Sequence, residues 1–341
     1  MFPLTFEPLL KRRRWGGRRL GDLLGKAIGD GNDWAESWEI ADCGDDQSVV
    51  SAGECAGARL SDLVARAGAD LLGRQNLSQF PLLVKFLDAA DRLSLQVHPN
   101  DVQASFFFPG QLGKTEAWVI LAADPGARVY AGLRAGVDRL QLGSALQEGR
   151  IEHCLHSYEV RPGDCIFIPA GTVHAIGEGI VLAEVQQSSD ITFRLDDWGR
   201  LGSDGKPREM HVAESLIVTN FQRGPVNPVV PVPISDDYEA FRHEQLVNCA
   251  QFVLNRYIAE RPFSISPNGS CHGLIGLGGT ATVWADGYEG LISAGKTMLI
   301  PADCPSLTVE PHDQLTLLDA YLPALCGEFD PESTYAALAT R

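Results

Sequence analysis

The stretch Pro162-Gly-Asp-Cys-Ile-Phe-Ile-Pro-Ala-Gly-Thr-Val-His174 decides how this chain is read. Asp164–Ile168 is a short apolar run closed on both sides by Gly/Pro turns, and the second turn delivers a histidine from the end of a strand. The pattern recurs. Ser293-Ala-Gly-Lys-Thr-Met-Leu-Ile-Pro-Ala-Asp-Cys-Pro-Ser306 can be laid over it, matching Ile168-Pro169-Ala170 to Ile300-Pro301-Ala302, so that His174 falls opposite Ser306. This predicts an internal duplication whose second copy lacks the metal-type residue. Similar short runs at Pro81–Asp88, Leu93–Val97, Glu116–Ala122, Ile180–Val185 and Ile191–Leu195 indicate a mainly β chain, a sandwich or barrel.

Helical periodicity is confined to a few accessory segments: one from Ser61, with that serine as N-cap, then Val137–Leu146 and Val212–Thr219. Between Gly224 and Asp237 four prolines rule out a central strand and mark a linker. The expected organisation is a first domain over 1–223, which holds the polar clusters, a Pro-rich linker over 224–237, and a strand-rich second domain over 238–341.

Composition narrows the function. The 341 residues carry 28 Lys+Arg against 44 Asp+Glu, a net charge of −16, which argues against a nucleic-acid binder needing a basic face. The longest apolar stretches fall far short of the roughly 20 residues of a spanning helix. No apolar segment follows the basic cluster of the first twenty residues, so the chain reads as cytoplasmic, with no membrane partner. Its eight cysteines are scattered without a CxxC pair, which suggests reduced thiols and leaves any metal to His, carboxylate or amide ligands.

Three clusters could supply such ligands. In Leu93–Asp101, Ser94, Gln96 and His98 share one face of a strand; alone they read equally as a solvated face, although Phe106, Phe107 and Phe108 suggest a partly enclosed setting. In Gly113-Lys114-Thr115-Glu116-Ala117-Trp118, Lys114 and Glu116 share a face and could be a surface ion pair. In Pro169–Ala175, His174 alone could be structural. Together, two imidazoles, one carboxylate and one amide oxygen from three strands form a set suited to Zn²⁺ with room for substrate or water.

These clusters, with Glu184 and the later Asp190-Ile-Thr-Phe-Arg194, and with Trp15-Gly16-Gly17 and Glu36-Ser-Trp-Glu-Ile40 near the start, resemble the type I mannose-6-phosphate isomerases. The resemblance implies a zinc-dependent chain of two cupin-type jelly-roll barrels, the second degenerate, acting through an enediol on a sugar phosphate. It carries the zinc ligands, one ion per chain, onto Gln96, His98, Glu116 and His174. Catalytic roles fall on Lys114, Glu184, Asp190 and Arg194, and substrate binding on Ser94, Lys85, Lys114 and Arg194. Arg194 with Lys114, and Lys85 or Arg200, would form a basic wall for the phosphate. Only 58 positions separate Glu116 from His174, too few for the helical insert of the longer members, so the similarity is to the short bacterial form. Competing readings are an Fe(II) cupin oxygenase and a non-catalytic sugar-binding cupin. A monomer is favoured over an oligomer.

Overall fold

The computed structural model describes residues 1–73, 77–202, 205–235 and 240–323. The end of the expected linker, at 236–237, the tail from 324 and Cys326 lie outside them; Cys43, Cys55, Cys154, Cys165, Cys249 and Cys304 are free thiols.

The first half contributes strands β1 (Leu9–Gly17), β2 (Trp34–Ile40), β3 (Leu82–Ala89), β4 (Leu95–Val97), β5 (Glu116–Ala123), β6 (Arg128–Leu133), β7 (Leu155–Glu159), β8 (Cys165–Ile168), β9 (His174–Ile176), β10 (Ile180–Gln187) and β11 (Phe193–Asp196). They form a six-stranded sheet in the order β8-β5-β10-β3-β2-β1, facing a five-stranded sheet β7-β6-β9-β4-β11. The second half adds β12 (Val232–Pro233), β13 (Phe241–Asn248), β14 (Val253–Ala259), β15 (Phe263–Ile265), β16 (His272–Gly278), β17 (Thr280–Ala285), β18 (Tyr288–Ser293), β19 (Thr297–Ile300), β20 (Leu307–Pro311) and β21 (Leu315–Tyr321). Its sheets run β12-β13-β14-β21-β16-β19 and β15-β20-β17-β18. Substituting β19 for β8, β16 for β5, β21 for β10 and β14 for β3 reproduces the first order strand for strand. The Ile-Pro-Ala repeat sits at matched places, since Ile168 ends β8 and Ile300 ends β19. The chain is therefore two jelly-roll barrels of the cupin type, the mainly β architecture expected. The proline-rich stretch ends as the two-residue edge strand β12, where a missing N–H costs nothing.

Alternation along β10 explains how the barrels pack. All eight of its residues are buried. Ile180 and Leu182 point into the first barrel with Leu87, Trp118 and Ile168, and Glu184 and Gln186 share that inward face. Val181, Ala183 and Val185 point the other way, into a cluster shared with Leu254, Ile275, Leu318 and Ala320 of the second barrel. The six-stranded sheets thus stand back to back, each fully buried large apolar side chain contributing about 1.5–3 kcal/mol. The opening residues cross to the second half: Leu4 bridges to Leu299.

Helix α1 (Leu60–Leu72) caps the shared cluster. Its N-cap is Arg59 with no side-chain cap bond, so the expected role of Ser61 is corrected; Leu60 is already helical and buried. Helix α2 (Asp101–Phe107) starts with a capping box between Asn100 and Gln103, and α3 (Arg139–Gln147) with one between Asp138 and Gln141. Helix α4 spans Val212–Val218. No helix among the described residues is long and apolar enough to cross a membrane.

Candidate active site

Both motifs that flank the site are tied to His98-Pro99. Gly113 presses on the chain there: a Cβ would lie 2.5 Å from the Asn100 carbonyl carbon. That approach lets the Lys114 N–H donate to the Pro99 carbonyl at 3.0 Å, while Asp101 accepts from the Gly113 N–H at 2.8 Å. From this anchor Glu116 enters the barrel as the first residue of β5. Gly171, at φ +84°, turns the chain so that its N–H donates to the His98 carbonyl at 2.8 Å. His174 then begins β9 directly across from Gln96 on β4.

His98, Glu116 and His174 converge with one ligand atom each inside 4.8 Å, and all three are buried. The His98 and His174 Nε2 atoms lie 3.5 and 3.2 Å from the Glu116 carboxylate. Each Nδ1 is 2.8 Å from a backbone carbonyl, of Ile191 and Thr172 respectively. A carbonyl can only accept, so both Nδ1 atoms carry the proton and both Nε2 lone pairs face inward. Burial lowers both imidazole pKa values, that of His174 to about 4, which keeps the rings neutral as metal ligation requires. His98 Nε2, His174 Nε2 and Glu116 Oε2 are buried without a hydrogen-bond partner. Three acceptor atoms without a hydrogen bond that converge within 4.8 Å fit a cation, and the two-imidazole, one-carboxylate donors with a nearby amide fit a divalent ion of the zinc type.

Glu116 borders a cavity of about 350 Å³ that is also lined by Ser94, Gln96, Lys85, Lys114, Glu184, Asp190 and Arg194 among others. Ser94, Lys85, Lys114, Glu184, Asp190 and Arg194 therefore all border one space. Lys114 Nζ lies 3.3 Å from Glu116. Lys85 sits between Glu184 at 3.4 Å and Glu36 at 3.7 Å; burial alone would lower its pKa, but these carboxylates hold it above the ordinary lysine value. Burial raises Glu184 to about 7, with Lys85 opposing and the hydrogen-bonded Glu116 adding to the rise. The Arg194 guanidinium donates to the Glu209 carbonyl at 2.8 Å, and its Nε is buried without a partner.

Two expectations are corrected. Arg200 does not border the cavity; Asp197 and Asp91 hold its guanidinium. Arg208, paired with Asp197, borders it instead, together with Arg13 and Glu36. Nor do the phenylalanines enclose the polar row. Phe107 packs on Phe193 at 5.1 Å on the outside of the five-stranded sheet, while Phe106 is 81% exposed. Arg208 carries no motif signal; Glu36 lies in the Glu36–Ile40 stretch already marked by resemblance.

The family model of the phosphomannose isomerase type I catalytic domain matches residues 2–120. The mannose-6-phosphate isomerase ManA of Bacillus subtilis is 37% identical over 263 residues, 75% of this chain and 79% of its own length. The chain belongs to the type I mannose-6-phosphate isomerase family. The mannose-6-phosphate isomerase of Streptococcus mutans is 38% identical over 216 residues, 63% of this chain and 67% of its own. The crystal structure of the Bacillus subtilis mannose 6-phosphate isomerase superposes with a TM-score of 0.87 at 26% identity, covering 94% of this chain and 99% of that one.

Proposed function

We propose that this family member interconverts mannose 6-phosphate and fructose 6-phosphate through an enediol, with one zinc ion per chain held by Gln96, His98, Glu116 and His174. The observation that carries the reading is the convergence of His98, Glu116 and His174, three buried side chains each with an acceptor atom that makes no hydrogen bond, with Glu116 bordering a cavity that arginines and lysines also line. A divalent ion bound there supplies Lewis-acid polarisation of the sugar's carbonyl and hydroxyl oxygens, offsetting charge as the enediol develops.

The chain's own residues do the rest. Arg194 and Arg208 offer guanidinium forks to a phosphate carrying about −1.5 to −2 charges. Five cationic side chains against four carboxylates border the cavity, so the local field opposes the overall charge of −16. Ser94 binds a sugar hydroxyl. Lys85, fixed by Glu36 and Glu184, orients the Glu184 carboxylate toward the substrate, while Lys114, Glu184 and Asp190 supply the acid–base groups that move the proton between neighbouring carbons. The division into a site-bearing unit over 1–223, a linker over 224–237 and a second unit over 238–341 belongs to the same proposal, as does action by a monomer.

Incubation of metal-loaded protein with fructose 6-phosphate should yield mannose 6-phosphate, and a chelator should stop it. A fully metallated sample that gives no product would overturn the reading.

A further inference from the structure

Strand pairing carries the first cavity, residue by residue, into the second barrel. Ile168 faces Glu116, and its counterpart Ile300 faces His272. On the next strand Trp118 faces Glu184, and Leu274 faces Asp319. Glu184 in turn faces Lys85, and Asp319 faces Asn255. One strand farther, Leu87 faces Glu36 and Tyr257 faces His243. His174 corresponds to Ser306, whose hydroxyl lies 2.7 Å from that of Ser266.

The replaced residues have not closed the space. His243, Asn255, Tyr257, His272 and Asp319 border a cavity of about 520 Å³, larger than the first and within the roughly 300–1,000 Å³ of small-molecule sites. We propose that this second cavity is a binding site for a neutral polyhydroxyl molecule, a free hexose or hexitol, held without metal and without a phosphate anchor.

The chemistry excludes the first site's ligands. His272 Nδ1 lies 2.8 Å from the Asp319 carboxylate and its Nε2 lies 3.0 Å from the Pro267 carbonyl. Both partners are acceptors, so both ring nitrogens carry protons and neither keeps a lone pair for a metal. The buried imidazolium and carboxylate neutralise each other. No Lys or Arg is among the described residues bordering the cavity, so a phosphate would meet Asp319 with no guanidinium or ammonium to offset it.

The polar groups of the border suit a ligand rich in hydroxyls. Asn255 is 3% exposed. Its amide nitrogen lies 3.1 Å from His243 Nε2 and 3.4 Å from the Tyr321 hydroxyl, but its Oδ1 is buried with no partner. The Asn255 side chain borders the cavity, which puts a carboxamide among the groups a polyhydroxyl ligand would meet there. The hydroxyls of Ser264 and Ser266, on the strand edge that corresponds to Ser94 and Gln96, add exchangeable donors and acceptors to the border. Flat rings flank these polar groups: His243 stacks on Tyr257 at 4.2 Å and His272 on Tyr321 at 4.4 Å. Aromatic walls beside hydrogen-bonding groups suit a ligand with C–H faces and hydroxyl edges.

Equilibrium dialysis of the metal-loaded full chain against radiolabelled D-mannitol and D-mannose, with the sugar phosphates in excess to fill the first cavity, tests this. One saturable site per chain is expected, undiminished by the sugar phosphates, by inorganic phosphate or by His174→Ala. Tyr321→Phe and Asn255→Leu should each weaken it by about tenfold, the equivalent of one lost hydrogen bond, while isomerase turnover stays at the wild-type level. Absence of saturable binding for both sugars, displacement by either phosphate probe, or binding untouched by both variants would overturn the proposal.

Discussion

The two barrels solve one electrostatic problem in opposite ways. In the first, Glu116 and Glu184 are hydrogen-bonded carboxylates at the barrel's centre, and Glu116 Oε2 with the Nε2 atoms of His98 and His174 makes no hydrogen bond. Such a cluster is incomplete without a cation. In the second barrel the same two positions hold His272 and Asp319, an imidazolium and a carboxylate 2.8 Å apart, which need nothing further to be neutral. Lys85, which ties Glu184 to Glu36 in the first barrel, is replaced by the uncharged Asn255. A single fold thus supports a charged, metal-demanding interior and a self-balanced polar one, and the difference lies in a handful of inward-facing side chains rather than in strand order.

Removing the charge at the Lys85 position is the strongest way to break this comparison. Lys85→Met should cost about 3–5 kcal/mol of stability because Glu36 and Glu184 lose their buried counter-charge. Asn255→Leu, at the matching position, should cost only about 1–3 kcal/mol, since it strands hydrogen-bond partners but no unpaired charge. Urea unfolding midpoints of the metal-free variants measure both, and equal losses would erase the distinction. The next effect is catalytic. Arg194→Ala should lower turnover by about 10²–10³-fold, the scale for one lost charge-stabilising donor, with bound metal unchanged; near-wild-type kcat/KM would remove Arg194 from the reaction.

The smallest effect is the share of the pH dependence that the second barrel contributes. Burial alone would lower the His272 pKa, but Asp319 and the Pro267 carbonyl hold it above the ordinary histidine value. A group whose folded pKa lies above its unfolded value contributes stability that is full below about pH 6.5 and lost as pH rises through the folded value. Denaturant midpoints of the metal-free chain should therefore fall more above about pH 6.5 than those of His272→Gln, which keeps only the fall that the raised pKa of Glu184 brings. A decline of the same size in both proteins would mean that His272 does not carry it.

Much of this contrast could be read from the chain. The Ile-Pro-Ala repeat aligned β8 with β19 because strand ends and turns leave local signatures. The inward row of Ser94, Gln96 and His98 followed from the two-residue period of a strand. What was not legible depends on pairing between distant strands. That His272 stands where Glu116 does, and Asp319 where Glu184 does, requires the registers of β16, β19 and β21 together. Arg208 reaches the cavity through its pairing with Asp197, a contact with no motif. The phenylalanine run misled because an apolar cluster near a site looks the same in sequence whichever face of the sheet it covers.

Metal stoichiometry tests the central contrast most directly. Elemental analysis of purified wild-type protein, His174→Ala and His272→Ala should find one divalent ion per chain in the wild type, a loss in His174→Ala, and full retention in His272→Ala. Two ions per wild-type chain, or an unchanged content in folded His174→Ala, would contradict the assignment of one metal-demanding barrel and one that needs none.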